Sequence, residues 1–361
     1  MDKSLSASPP QNIFADDEHN PSKIAILEKG NLVEFLTILK PEIPEIGSVH
    51  IARIYQVFRQ HKLATAMLED GTQISVRLSS EKLHPGALAV VTITSEPWAL
   101  KPARAILGAQ LAGKYVILLP GQAETARLGR TIIATQPSEI ALRDEIKKGL
   151  PEGFGIILRR QAISAEPFLI KNEIEILASD WQEKAELPAN LNNIATPKKL
   201  YQGLPLIKLA RIIAPTASKR IGRDDGEWQA VYDQLEKACE HKFTTEQGVV
   251  IWFQSTKGLT AIDIDSAGSK MGASELSAHI AEVVMKQIRL RYISGAVFID
   301  MPRLAKTDRK KFHRFCQDYA LADIRHPDIY GFGPAGLVEM TIRHTYMPLI
   351  DRMNAMSSAI K

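Results

Sequence analysis

Apolar and polar positions alternate in short runs through the first third of the chain and lengthen to a helical period in several later segments. From Ile24, "KIAILEKGNLVEFLTIL" places two apolar runs around Lys-Gly-Asn, which predicts a β-hairpin. "KPEIPEIG" breaks the pattern and marks a boundary. Residues 47–96 carry the β-type runs "SVHIARIYQVF", "LATAMLED", "QISVRL" and "ALAVVTIT", with turns at Asp70-Gly71 and Pro85-Gly86. Short strands at that spacing predict a small barrel, for which the OB type is the usual five-stranded solution. Residues 106–185 read as a mixed α/β module. "KYVILLP" and "GFGIILRR" are its strands, with "SEIALRDEIKKGL" an amphipathic helix between them. Residues 183–226 show no clear period. "DGEWQAVYDQLEKACEHKF" is then helical, spaced by Trp228, Val231, Leu235 and Ala238.

The last third has the clearest pattern. "GVVIWFQS" and "GLTAIDID" predict a hairpin around "STKG". "ASELSAHIAEVVMKQIRLRYI" predicts a helix with Leu276, Ile280, Val283, Val284 and Ile288 on one face. "GAVFID" is a continuous apolar run, expected to be a strand covered on both faces. Strand, helix and strand in that order predict a right-handed βαβ crossover. Residues 1–22 read as a disordered tail, and Trp98, Trp181, Trp228 and Trp252 as core or subdomain contacts.

The chain has 361 residues, 45% hydrophobic and 24% charged, enough for a large core and two or three domains. Its two cysteines, Cys239 and Cys316, form no C-x-x-C pair, so no zinc site and a cytoplasmic location are expected. The formal charge of +4 permits a polyanionic partner without requiring one. No apolar run approaches the roughly 18 residues of a membrane span, and the N-terminus lacks the apolar stretch of a signal peptide.

Residues two apart on a strand share a face, so Asp263 and Asp265 point the same way, and Asp300 ends the second strand. If the two strands are parallel neighbours, Asp263 and Asp300 meet at their C-terminal edge, where open α/β sheets bind ligands. Carboxylates gathered there repel unless one is protonated or a cation joins them. Oxygen donors with no His or Cys nearby suit Mg²⁺ first and Mn²⁺ second. A helix or turn cap is the plainer role for Asp265, followed by Ser266. Capping accounts for one aspartate, not for two strands that both end in one. Downstream, residues 286–314 hold nine basic residues against Asp300 and Asp308, a charge balance suited to a phosphate backbone or to a solvated helix face.

"GLTAIDIDSAGS", "IAEVVMKQIRLRYISGAVFIDM" and "GFGPAGLVEMTIRH" together resemble the catalytic core of the ribonuclease E/G family. The resemblance runs from about residue 24 to 345 and is strongest over 244–301. It implies a multi-subdomain α/β fold: an abbreviated RNase-H-like part (23–44 and 196–240), an OB-type RNA-binding barrel (45–105), a 5′-sensor-like subdomain (106–195) and a deoxyribonuclease-I-like catalytic subdomain (241–350), with a tail over 351–361. By that resemblance Asp263 and Asp300 bind Mg²⁺, with Asp265 at a position where the family usually has Asn. Lys101 matches an RNA-contacting lysine, and Gly113, Arg130 and Arg159 match the site for a 5′-monophosphate. Without the family, a strand arginine such as Arg130 or Arg159 is most often a surface ion-pair partner.

The departures are specific. Met67 stands where the family stacks an RNA base on Phe, and a second such Phe falls near Val76. Arg160 replaces a sensor threonine, and a core arginine is replaced around Gly331. The resemblance therefore implies weaker or different RNA capture by the barrel. The family's zinc-linking C-P-x-C is absent from the sequence, so a monomer or weak dimer is expected rather than a zinc-joined tetramer.

Two functions follow. The first is a Mg²⁺-dependent endoribonuclease on single-stranded RNA, with Asp263, Asp265 and Asp300 at the reacting phosphate and Arg303, Lys306 and Arg343 as backbone contacts. The second is a relative that binds RNA without cutting it, favoured by the missing barrel aromatics and opposed by the intact aspartate pair.

Overall fold

The computed structural model describes residues 11–39, 43–78, 83–129, 136–186, 195–222 and 225–357. The chain divides into two compact units, one from residues 1–39 and 209–361, the other from residues 40–208.

The first unit opens with β1 (Gln11–Ala15), β2 (Lys23–Glu28) and β3 (Asn31–Thr37). Lys29 and Gly30, both at positive φ, make the two-residue turn between β2 and β3, which fixes the predicted hairpin. Of the tail expected over residues 1–22, residues 1–10 lie outside the described residues, and β1 corrects the expectation of disorder for Gln11–Ala15: Ile13 and Ala15 are fully buried.

In the second unit come β4 (Val49–Phe58), β5 (Leu63–Met67), β6 (Gln73–Arg77), β7 (Leu88–Ser95) and β8 (Ala103–Leu107). They pair in the order β4–β5–β6–β8–β7, and β7 returns to β4, closing a five-stranded barrel consistent with the OB type. β6 and β8 run parallel and the other neighbours antiparallel. Period-two alternation sends Ala64, Ala66, Ile74 and Val76 inward, and the small alanines suit a narrow barrel. The same unit holds β9 (Leu111–Ala112), β10 (Val116–Pro120), β11 (Ala126–Leu128) and β12 (Phe154–Leu158), ordered β11–β12–β10–β9. Helix α1 (Pro137–Lys148) packs on β11 and β12, and α2 (Pro167–Lys184) on β10. β13 (Lys198–Tyr201), assigned from sequence to the N-terminal hairpin's subdomain, instead pairs with barrel strand β4.

After α3 (Leu206–Ile213), β14 (Ser218–Ile221) pairs with β1, giving a sheet ordered β14–β1–β2–β3. Helix α4 (Asp225–Cys239) covers it, with Trp228, Val231, Leu235 and Ala238 packed among Phe14, Ala25 and Phe35. The remaining elements are β15 (Lys242–Thr244), β16 (Val250–Ser255), β17 (Leu259–Asp265), α5 (Ala273–Leu290), β18 (Gly295–Asp300), α6 (Lys306–Ala320), β19 (Asp328–Phe332), β20 (Val338–Ile342) and α7 (Leu349–Ser357), a helix where sequence placed a tail. The sheet is ordered β15–β16–β17–β18–β20–β19, with β17 and β18 parallel across α5 as the crossover pattern required.

One face of this sheet buries Ile251, Ile262, Val297 and Ile299 against α5 and α6. Its other face is open. β17 alternates strictly, with Asp263 and Asp265 exposed, and β18 leaves Ala296 and Phe298 only half-buried. The expectation that "GAVFID" is covered on both faces is thereby corrected. A buried ion pair, Arg289 Nε to Glu34 Oε2 at 2.6 Å, joins α5 to β3, and Tyr292 Oη donates to the Phe35 carbonyl.

Candidate active site

The aspartates are set by strand register. Asp263 and Asp300 are direct partners across the parallel β17–β18 pair. Neighbouring strands lie about 4.8 Å apart, so both carboxylates leave the open face side by side. Asp265 lies two residues farther along β17 on the same face. Its Oδ1 accepts the Ala267 N–H at 2.9 Å, so one of its oxygens serves the local turn. The loop beyond is pinned by close backbone approach, since a Cβ on Gly248 would fall 2.6 Å from the Gly268 carbonyl oxygen. Among the described residues, no lysine or arginine forms an ion pair with Asp263, Asp265 or Asp300. Nor do three His, Cys, Asp or Glu side chains converge there into a metal cage. The donors are two adjacent carboxylates, which suits Mg²⁺, an ion commonly held by one or two carboxylates, several waters and substrate phosphate.

The basic run over residues 286–314 divides by role. Lys286 pairs with Glu28 and Glu282, Arg289 with Glu34, and the Arg291 guanidinium lies 4.0 Å from the Phe253 ring centroid. These three are structural. Arg303, in the loop after Asp300, and Lys306, the first residue of α6, are exposed near the C-terminal end of β18. Arg343 is exposed too, but it follows Ile342, the partner of Gly295 at the start of β18. That places it at the opposite end of the strand from Asp300, about 20 Å away at 3.3 Å per residue. Arg343 is therefore not brought to the aspartates.

In the second unit, Lys101 is exposed and closes a two-residue loop with Trp98. Met67 is half-buried on the outer barrel face, whereas Val76 is fully buried in the interior, leaving Ser75 as its outward neighbour. Exposed aromatics occur elsewhere on β4: Tyr55 is 70% exposed at a bulge, and Phe58 38%. Tyr55 faces outward next to inward Ile54, and the bulge that sets Tyr55 and Gln56 opposite Thr65 then shifts the phase, so that Val57 packs on the barrel core and Phe58 turns outward.

Gly113 and Arg159 are brought together, because Arg159 Nη1 donates to the Gly113 carbonyl. Arg130 lies outside the described residues. The Gly113 N–H donates to the Val116 carbonyl at 2.9 Å. Sequence reasoning missed Glu173, which is buried beneath this loop and accepts the N–H groups of Lys114, Tyr115 and Val116 at 2.8, 2.8 and 2.9 Å. Burial pushes its carboxyl up to about 7, against the three N–H groups and Arg159, which pull it down. A Cβ on Gly113 would fall 2.2 Å from Glu173 Oε1, so glycine is required to seat that carboxylate. The isolated polarity of Glu173 among Ile170, Ile174 and Leu177 on one helix face is its one sequence signal.

A closed five-stranded barrel and an open-faced α/β sheet with paired strand-end aspartates define a mixed α/β protein carrying a two-carboxylate site. The ribonuclease E/G family model matches residues 110–227 and 223–345. The chain belongs to the ribonuclease E/G family. It is 21% identical to ribonuclease G of Salmonella typhimurium over 375 residues, covering 93% of this chain and 76% of that protein. It is 25% identical to ribonuclease E of Haemophilus influenzae over 348 residues, covering 80% and 35%, and 26% identical to ribonuclease E of Escherichia coli over 257 residues, covering 60% and 24%.

Proposed function

We propose that the protein is a divalent-metal-dependent endoribonuclease that hydrolyses single-stranded RNA and leaves 5′-phosphate and 3′-hydroxyl ends. The observation that carries this reading is the direct pairing of Asp263 with Asp300 on an open sheet face. Family membership and relatives named ribonuclease G and ribonuclease E support it.

Asp263 and Asp300 would hold Mg²⁺, with Mn²⁺ as a substitute. Such an ion supplies a Lewis acid for the phosphoryl oxygen and lowers the pKa of water. The oxygen of Asp265 not used by the turn would orient that water. Arg303 and Lys306 supply positive charge for the RNA backbone without reading its sequence. In the overall hydrolysis, water oxygen bonds to phosphorus, the P–O3′ bond breaks and O3′ takes a proton. In the barrel, Tyr55 and Phe58 offer the stacking surface that Met67 and Val76 do not. No acidic residue occurs from Ile46 to Leu68, where Arg53, Arg59 and Lys62 lie.

The test is incubation of the purified protein with a 5′-monophosphorylated oligoribonucleotide in Mg²⁺ or EDTA. Cleavage should require the metal. Asp263→Asn and Asp300→Asn should each lower the rate on the order of a thousandfold, the weight of several kcal/mol of transition-state stabilisation, with RNA affinity nearly unchanged. Undiminished turnover in either variant removes the assignment. Binding without EDTA-sensitive cleavage by the unaltered protein selects the non-cutting alternative.

A further inference from the structure

The rung of the open sheet that carries Asp263 and Asp300 continues across two more strands. Trp252 on β16 is the direct partner of Asp263, and Lys242 on β15 is the direct partner of Trp252. Cross-strand partners share a face, so Lys242, Trp252, Asp263 and Asp300 stand in one row on the solvent side. Trp252 remains 39% exposed while Ile251 and Phe253 on either side are buried. Its indole is thus an accessible aromatic surface one strand from the first aspartate. The Lys242 ammonium lies 5.3 Å from the Trp252 ring centroid and adds a positive charge at the end of the row.

Each group in this order meets a different part of one nucleotide chain. The carboxylate pair suits a metal-bound phosphate, a neighbouring aromatic face suits a nucleobase, and the ammonium suits a further phosphate. An exposed tryptophan beside two like charges gains little from packing, whereas a stacked base would cover it.

We propose that Trp252 stacks on the nucleobase adjoining the phosphate held at Asp263 and Asp300, and that Lys242 contacts the next phosphate, so that this rung sets the position of the RNA relative to the cut. The proposal rests on the nuclease reading for the word cut, and only there. Base–aromatic stacking tolerates every base, so it orients the strand without imposing a strong sequence preference.

The test uses the full chain and a short single-stranded oligoribonucleotide of defined sequence, with one abasic nucleotide moved along it position by position. Binding is followed by fluorescence anisotropy in EDTA, and cleavage is followed separately in Mg²⁺. Trp252→Ala should weaken binding of the intact oligonucleotide on the order of tenfold and raise KM more than it lowers kcat. It should also erase the penalty that the unaltered protein shows at one abasic position. Trp252→Phe should retain most of the affinity and keep that penalty. An unchanged thermal midpoint in Trp252→Ala separates lost stacking from lost folding. Equal affinity of Trp252→Ala and the unaltered protein, or an abasic penalty that survives in Trp252→Ala, overturns the proposal. Cleavage by a protein that shows this result leaves the nuclease reading standing. A Trp252-dependent abasic penalty without cleavage supports the stacking site and removes the nuclease reading.

Discussion

His50 shows how a barrel position sets a titration. Its ring is 7% exposed, and its Nε2 lies 2.9 Å from Ser48 Oγ. Burial pushes the imidazole down to about 4, with Lys199 adding to the effect while Asp70 and Glu69 oppose it. The folded protein therefore keeps His50 neutral over a range in which the unfolded chain, at about 6.5, takes up a proton. The stability this confers is complete above about 6.5 and is lost as pH falls through about 4, a total of about 3 kcal/mol. In NMR titration the His50 ring signals should stay constant from neutral pH to about 5. A His50 midpoint near 6.5 would contradict the buried neutral ring.

At the scale of elements, α5 is tied to β3 by Arg289 and Glu34, whose side chains are 9% and 4% exposed. Glu34→Ala leaves Arg289 without its carboxylate partner in the interior and should lower unfolding stability by about 3–5 kcal/mol in denaturant melts. Glu34→Leu combined with Arg289→Met should recover most of that loss, because replacing a buried pair by apolar groups is often neutral. A mild Glu34→Ala effect would mean that nearby Asp323 holds Arg289 unaided. Elements with a local signal were legible in the sequence. The β2–β3 hairpin announces itself by alternation and Lys29-Gly30, and the β17–α5–β18 crossover by two apolar strands around an amphipathic helix. The aspartate pairing followed from that crossover. β1 was hidden because "QNIFA" is short, lies between polar segments and pairs with Ser218–Ile221, some 200 residues away in sequence. The open sheet face was hidden because Phe298 and Ala296 look like core in a linear reading but stand half-buried, with Glu339 the cross-strand partner of Phe298. Trp252 was read as core for the same reason. The outward face of Phe58 escaped because a bulge, which depends on pairing with β5, shifts the phase of β4 beyond Ile54.

At the scale of the whole molecule, the open question is whether cleavage senses the 5′ end of the RNA. Arg159 Nη1 donates to the Gly113 carbonyl, and the backbone N–H groups of this loop are engaged within it. The Gly113 N–H serves Val116, Arg159 serves the Gly113 carbonyl, and the next three N–H groups serve Glu173. A terminal phosphate that took these backbone N–H groups would have to displace bonds already made, and an unmade buried bond costs about 1–3 kcal/mol. The expected outcome is near-equal cleavage rates for oligoribonucleotides that differ only in carrying a 5′-monophosphate or a 5′-triphosphate, measured as initial rates in Mg²⁺. Arg159→Ala should then change both rates alike, through the loop it braces. A strong preference for the monophosphate, lost in Arg159→Ala with the thermal midpoint intact, would instead mean that the phosphate competes successfully for that guanidinium.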